Sequence, residues 1–233
     1  MYRKFEILQG TPQERRFCWK PARTLLAIGV PMGLQFSITA IGSIMLQSAN
    51  NALGTACVAA FTSAMRIRMF FICTFESLGI AMATFSGQNY GAGRPERVWQ
   101  GIKANTGIML LYTVFTFVLL MAGAKNFALI FVEPTETEIL RDTELFLHVA
   151  CSFFPALGLL CILRYTIQGV DFTNLAMFSG VAEMIARIAV SLYAVPAVCF
   201  GDPMAWVAAD LFLIPAFACV YKRIKKRKMT PCV

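Results

Sequence analysis

Long apolar runs recur along the whole chain, and the basic residues gather in short clusters between them. No soluble core of this size absorbs that pattern. Of 233 residues 58% are hydrophobic and 15% charged, with a mean hydropathy of +0.63, whereas soluble domains run at about 45–50% apolar and about 25% charged. A folded globule in water would leave many of its 20 Phe and 12 Met on the surface. A bilayer is the solvent this composition fits.

A spanning helix needs about 20 mostly apolar residues. That length predicts six spans, at 25–49, 56–86, 102–124 with an apolar continuation to 132, 143–168, 173–199 and 204–221. The expected fold class is all-α: a polytopic membrane helix bundle at 25–221, with a basic linker at 1–24 and a basic tail at 222–233. Residues 1–24 hold six basic side chains but no apolar core of a cleavable signal peptide, so the run from Leu25 is expected to stay in the membrane.

Orientation follows from the Lys/Arg bias of alternate segments. Fifteen of the 21 basic residues fall in three of them: the linker, the stretch with Arg94, Arg97 and Lys103, and the tail from Lys222 to Lys228. The opposite loops are short or acidic: 50–54, then 133–144 with Glu133, Glu136, Glu138, Asp142 and Glu144, then Gly201-Asp202-Pro203. Both termini are therefore expected in the cytoplasm. Trp19, Trp99 and Tyr221 mark the expected inner boundary and Trp206 the outer one. The net charge of +8 resolves into these clusters, which suit a lipid bilayer as partner and not a nucleic acid.

The eight cysteines show no CxxC pair and no metal-ligand spacing, and read as packing residues. The chain has no GxxxxGK[ST] loop for nucleotide phosphates, Gly91-Ala92-Gly93 lacks the third glycine and preceding strand of a dinucleotide site, and His148 is the one histidine. No catalytic constellation, metal site or cofactor is expected, and the chain does not read as an enzyme.

Ionisable side chains at membrane depth are costly and face a bundle interior or a wet cavity. Arg66, Arg68, Glu76, Arg164, Glu183 and Arg187 stand out. Glu183 and Arg187 are four apart, with the acid N-terminal to the base, the better order for a helical ion pair. Glu183 reads either as a proton- or cation-responsive carboxylate or as a structural ion pair joining helices. Arg66 and Arg68 point to nearly opposite sides of one helix, so at most one of them faces a given cavity. Glu76 is too far along the helix from Arg68 to touch it. Gln35, Thr39, Ser43 and Gln47 recur in steps of four along the first span and Asn50 continues the stripe, which reads as a substrate pathway or as polar packing between helices. Gly29, Pro31 and Gly33 permit a bend at its inner end.

Gly33-Leu34-Gln35-Phe36-Ser37 opens the first span. Ala81 to Gly93, which contains Gly87-Gln88-Asn89-Tyr90-Gly91, closes the second, and Arg164-Tyr165-Thr166-Ile167-Gln168-Gly169 closes the fourth. Together with Gly180, Glu183 and Arg187 these motifs resemble the C-terminal half of bacterial multidrug and toxic compound extrusion (MATE) transporters. The resemblance implies a fold of twelve helices in two six-helix lobes, related by a pseudo-two-fold along the membrane normal, with the substrate cavity between them and alternating access by rocking of one bundle against the other. It also implies multi-pass insertion in the bacterial plasma membrane and antiport, xenobiotics of cationic, amphipathic character leaving in exchange for sodium ions or protons. In several subfamilies it places the coupling carboxylate in the other lobe. This chain supplies one bundle, so the implied partner is a second six-helix lobe, either a separate chain or a second copy. Departures from the resembling pattern are Arg68 where an acid is common, Glu76 where an apolar residue is common, and Asp171 where a turn glycine is usual. Two other functions stay open: a non-transporting remnant or structural membrane protein, and a lipid-type flippase of the wider superfamily, which the arginines favour.

Overall fold

The computed structural model describes residues 18–193 and 195–227. The linker up to residue 17 and the tail from Lys228, with Cys232, lie outside them. Seven α-helices follow in order: α1 Trp19–Asn51, α2 Thr55–Gly91, α3 Pro95–Ala128, α4 Thr137–Ser152, α5 Phe154–Gly169, α6 Thr173–Tyr193 and α7 Gly201–Arg227, with a 3-10 turn at Val195–Phe200 before α7. Five helices are long and apolar enough to cross a membrane, and the pair α4 and α5, bent by 49° at its break, makes a sixth when taken as one broken span.

That break departs from the uninterrupted span expected at 143–168. Pro155, at the start of α5, has no N–H for the Cys151 carbonyl and cannot continue α4. Phe153 takes up the bend, donating its amide to the Ala150 carbonyl. The fifth crossing likewise ends early, at Tyr193 instead of 199. The sixth starts three residues before its expected boundary, so Asp202, expected in a loop, lies in the first turn of α7. Gly29, Pro31 and Gly33 leave α1 a single helix.

The core is made where α2, α5 and α7 cross, with α3 and α4 against α2. Phe75 and Phe154 are fully buried there, edge-on to each other at 5.4 Å, and Trp206 packs on Phe154. Trp206 is therefore a core residue, not an outer boundary anchor. By contrast, Trp99 meets Tyr221 at 5.3 Å and Lys103 lies over its ring, which places the α2–α3 turn and the C-terminal end of α7 at the same end of the bundle. The basic clusters of those segments share that end.

Helix α1 packs mainly on α6 and only lightly on α2. The bundle is thus open between α1 and α2, and this gap positions the site. The seven described cysteines are all free, with Cys151 and Cys161 buried.

Candidate functional site

A cavity of about 350 Å³ opens between α1 and α2 and reaches in to α5, α6 and α7. Its α1 wall is the predicted polar stripe of Gln35, Thr39, Ser43 and Gln47, and α2 contributes Arg68 and Glu76. Arg164, Glu183, Arg187 and Asp202 form its floor. The volume lies in the range of small-molecule sites, about 300–1,000 Å³.

Two expected pathway residues lie elsewhere. Arg66 is exposed on α2 and is not among the residues that line the cavity, because a shift of two residues from Arg68 turns a side chain roughly 200° around a helix. Asn50 is fully buried where α1 meets the start of α2, accepting the Cys57 thiol at 3.2 Å. It joins two helices instead of lining the route.

The floor is a ladder of alternating charge. Arg68 Nη2 donates to Asp202 Oδ2 at 2.5 Å, and Arg187 Nε donates to Asp202 Oδ1 at 2.9 Å. Arg187 Nη1 reaches Glu183 Oε2 at 3.3 Å, and Arg164 Nη2 donates to Glu183 Oε1. Three arginines and two carboxylates from α2, α5, α6 and α7 thus alternate in sign. The Arg68 guanidinium also lies over the Trp206 ring at 5.6 Å, and Arg164 Nε donates to Ser179 Oγ at 3.1 Å. Both carboxylates are engaged on both oxygens, the arrangement under which buried ions persist.

Spacing along one helix reveals the Glu183–Arg187 pair. The Arg164–Glu183 and Arg68–Asp202 pairs join residues far apart in sequence and leave no periodic trace. Asp202 reads as a turn residue between Gly201 and Pro203, although acid followed by proline is also a helix-start signal. Asp210, buried in α7, is a further ionisable group that sequence reasoning did not single out. Its signal is the one that marks Glu183, a carboxylate inside an apolar run.

Glu76 lines the cavity and is exposed on α2. Among the described residues no hydrogen bond or ion pair holds it, in contrast to Glu183 and Asp202. The Thr39 hydroxyl and Arg68 Nε are also without partners among the described residues. These groups leave the cavity wall with free polar capacity.

The two motif segments meet behind the cavity. Gln168 Nε2 donates to Gln35 Oε1 at 2.8 Å, tying α5 to α1. Gly87 faces Gly169 where α2 crosses α5. Asn89 is buried, its side-chain amide donating to the Phe85 carbonyl at 2.8 Å and its backbone carbonyl accepting the Arg94 backbone N–H at 2.9 Å, while Gln88 is exposed and Gly91 ends α2. Tyr90 packs against Val170, Val220 and Ile224. Motif polarity at this end therefore shapes the turn, and the residues do not line the cavity.

The MatE family profile matches residues 31–193. A relative from Bacillus subtilis (strain 168), described as a probable multidrug resistance protein, YpnP, is 25% identical over 146 residues, 63% of this chain and 32% of its own length. A crystal structure of MATE in the bent conformation overlays with a TM-score of 0.82 at 20% identity, covering 94% of this chain and 50% of that one. A transporter of the MOP superfamily from Pyrococcus furiosus, whose binding pocket is described as having reversed polarity, overlays at 0.75 with 18% identity, covering 94% and 49%. The chain spans about half the length of the solved transporters it matches. On this profile match and this fold, the chain belongs to the MATE family, as a multi-pass membrane protein corresponding to one six-helix half of such a transporter.

Proposed function

We propose that this chain is half of an antiporter that exports small cationic, amphipathic xenobiotics across the bacterial plasma membrane, in exchange for protons or sodium ions. A second six-helix lobe closes the cavity from the α1–α2 side. The observation that carries this reading is the chemistry of the open face of α2. Thr62, Arg66, Cys73, Glu76, Ser77 and Thr84 are exposed along it, interleaved with Met69, Phe70 and Ile80. The exposed face of α3 holds Leu111, Val114, Phe115, Val118 and Met121 instead. Hydrocarbon suits the α3 face. Bare Arg66 and Glu76 at membrane depth need water or protein against them.

The charge of the cavity supports a cation as cargo. Asp202 and Glu183 are held by arginines, and Glu76 is the lining carboxylate without such a partner. A lipid-type flippase would use the arginines to hold a phosphate, but the three that line the cavity, Arg68, Arg164 and Arg187, each already serve a carboxylate. A second lobe could be a separate chain or another copy, since a two-fold along the membrane normal relates the lobes in the implied assembly and closed two-fold pairs are common.

Export of an ethidium-like cation from cells expressing the chain alone, and together with a candidate second lobe, tests the proposal. Raised efflux in either case, lost on Glu76→Gln, is the expected result. Efflux equal to empty vector in both, with normal membrane insertion, would favour the non-transporting structural reading. Site-directed crosslinking from the α2 face shows which lobe closes it.

A further inference from the structure

We infer that Asp210 of α7 is a proton-binding site behind the cavity, and that a proton bound there weakens cation binding at Glu76 although the two ligands share no site. This deepens the proposed function and rests on its reading of the cavity as cation-binding. Asp210 is only 6% exposed, and its Oδ1 finds no hydrogen-bond partner among the described residues. It does not line the cavity, so cargo need not displace the proton directly.

Two opposed influences act on Asp210. Burial favours the neutral acid, and a nearby guanidinium favours the carboxylate. The guanidinium is Arg164 on α5, the charge that acts on Asp210, with the Cys161 thiol beside it. Arg164 is divided, because Glu183 and Ser179 already engage it. From α6, Glu183 and Arg187 are paired with each other and with Arg164 and Asp202. Asp202, two turns earlier on α7, is held by Arg68 and Arg187. Helix α4 touches α7 only slightly; its histidine, His148, has an Nε2 without a partner among the described residues.

Charge counting gives the coupling. Arg68, Arg164 and Arg187 against Asp202 and Glu183 leave the ladder with one positive charge in excess. An ionised Asp210 cancels it, and Glu76 then gives the cavity a net negative charge. A proton on Asp210 restores the excess, which cancels Glu76. The attraction for a cation therefore falls when the proton binds, which is the sign that exchange of one for the other requires. A unit charge acting over roughly 10–15 Å through an effective dielectric of about 20 changes an affinity by about tenfold.

The full chain in lipid nanodiscs provides the test, with tetraphenylphosphonium as the cation. Wild type should bind it about tenfold more tightly near pH 8 than near pH 5.5, and Asp210→Asn, neutral at every pH, should stay near the weak acid-side value throughout. Infrared spectra should show a protonated-carboxyl band that fades as pH rises in wild type and is missing in Asp210→Asn. Persistence of the pH dependence or of the band in the variant would overturn the proposal. If wild type binds no tetraphenylphosphonium at any pH, the cation reading fails and the coupling with it, while the infrared titration still decides the proton site. Should the variant not fold, wild type labelled with carbon-13 aspartate separates Asp210 from Glu76 and Glu183. An unshifted band there counts against the site.

Discussion

Gly87 and Gly169 face each other across the crossing of α2 and α5, so closely that a Cβ on Gly87 would stand 2.9 Å from the Gly169 carbonyl oxygen. A Cβ on Gly169 would fall inside contact distance of the Ala83 backbone. Small residues let transmembrane helices approach to this degree. The two motifs are therefore two sides of one contact, and backbone atoms, unlike a flexible side chain, cannot move aside for a methyl group.

Gly169→Ala should lower the stability of the bundle by about 1–3 kcal/mol, the usual cost of overpacking. Gly107→Ala, on α3 with open space around it, should be neutral or slightly stabilising because alanine favours helix. Thermal unfolding of the two variants in detergent, followed by size-exclusion fluorescence, checks the contrast. Equal melting curves would mean that the α2–α5 crossing has slack.

Glu183→Gln should destabilise by about 3–5 kcal/mol, since it strips Arg164 of its paired carboxylate inside the bundle and leaves Arg187 with Asp202 alone. Glu76→Gln touches no ion pair, and should leave stability within about 0.5 kcal/mol of wild type while reducing cation binding. Melting temperature and ligand affinity measured on the same samples separate the two roles. A stable Glu183→Gln protein that has lost binding would reverse the assignment.

Asp171, in the turn between α5 and α6, has φ +69°, the left-handed region where glycine carries no steric cost. Asp171→Gly should therefore stabilise by about 0.5–1 kcal/mol, read as a higher melting temperature. A lower one would show that the aspartate side chain holds the turn.

Cys73 is exposed on the open face of α2, beside Glu76. As the sole cysteine in the chain it should react with a charged, membrane-impermeant maleimide, because thiol chemistry needs the thiolate and water. Cys161 of α5, 2% exposed in the core cluster, should not react when it is the sole cysteine. Protection of Cys73 on adding a second lobe would locate the interface. Labelling of Cys73 only by lipid-soluble reagents would show that lipid covers this face.

Segment length and apolarity carry the number of crossings because a bilayer fixes how long a helix must be. What they miss is set by single residues with non-local effects. Pro155 splits the fourth crossing, yet a proline inside an apolar run does not by itself mark a break, and Pro31 indeed leaves α1 whole. The α1 stripe was legible because its wall is one helix, so its period of four survives in sequence. Arg164 and Glu183 meet only after α5 packs on α6, and no period connects them. Trp206 illustrates the same limit: a tryptophan near a span end reads as an interface anchor until a neighbouring Arg68 and Phe154 enclose it. The positive φ at Asp171 gives a physical reason for glycine being usual there in the resembling pattern.

The charge ladder also has a mechanical meaning. Arg68, Asp202, Arg187, Glu183 and Arg164 rivet four helices in series, and a rivet once opened leaves a charge without its partner inside the bundle. Peeling any one of those helices away would bare a charge to hydrocarbon. Motion therefore passes through the bundle as through a stiff plate, and compliance is left to places the ladder does not cross: the thinly packed seam between α1 and α2, and the bend at Phe153.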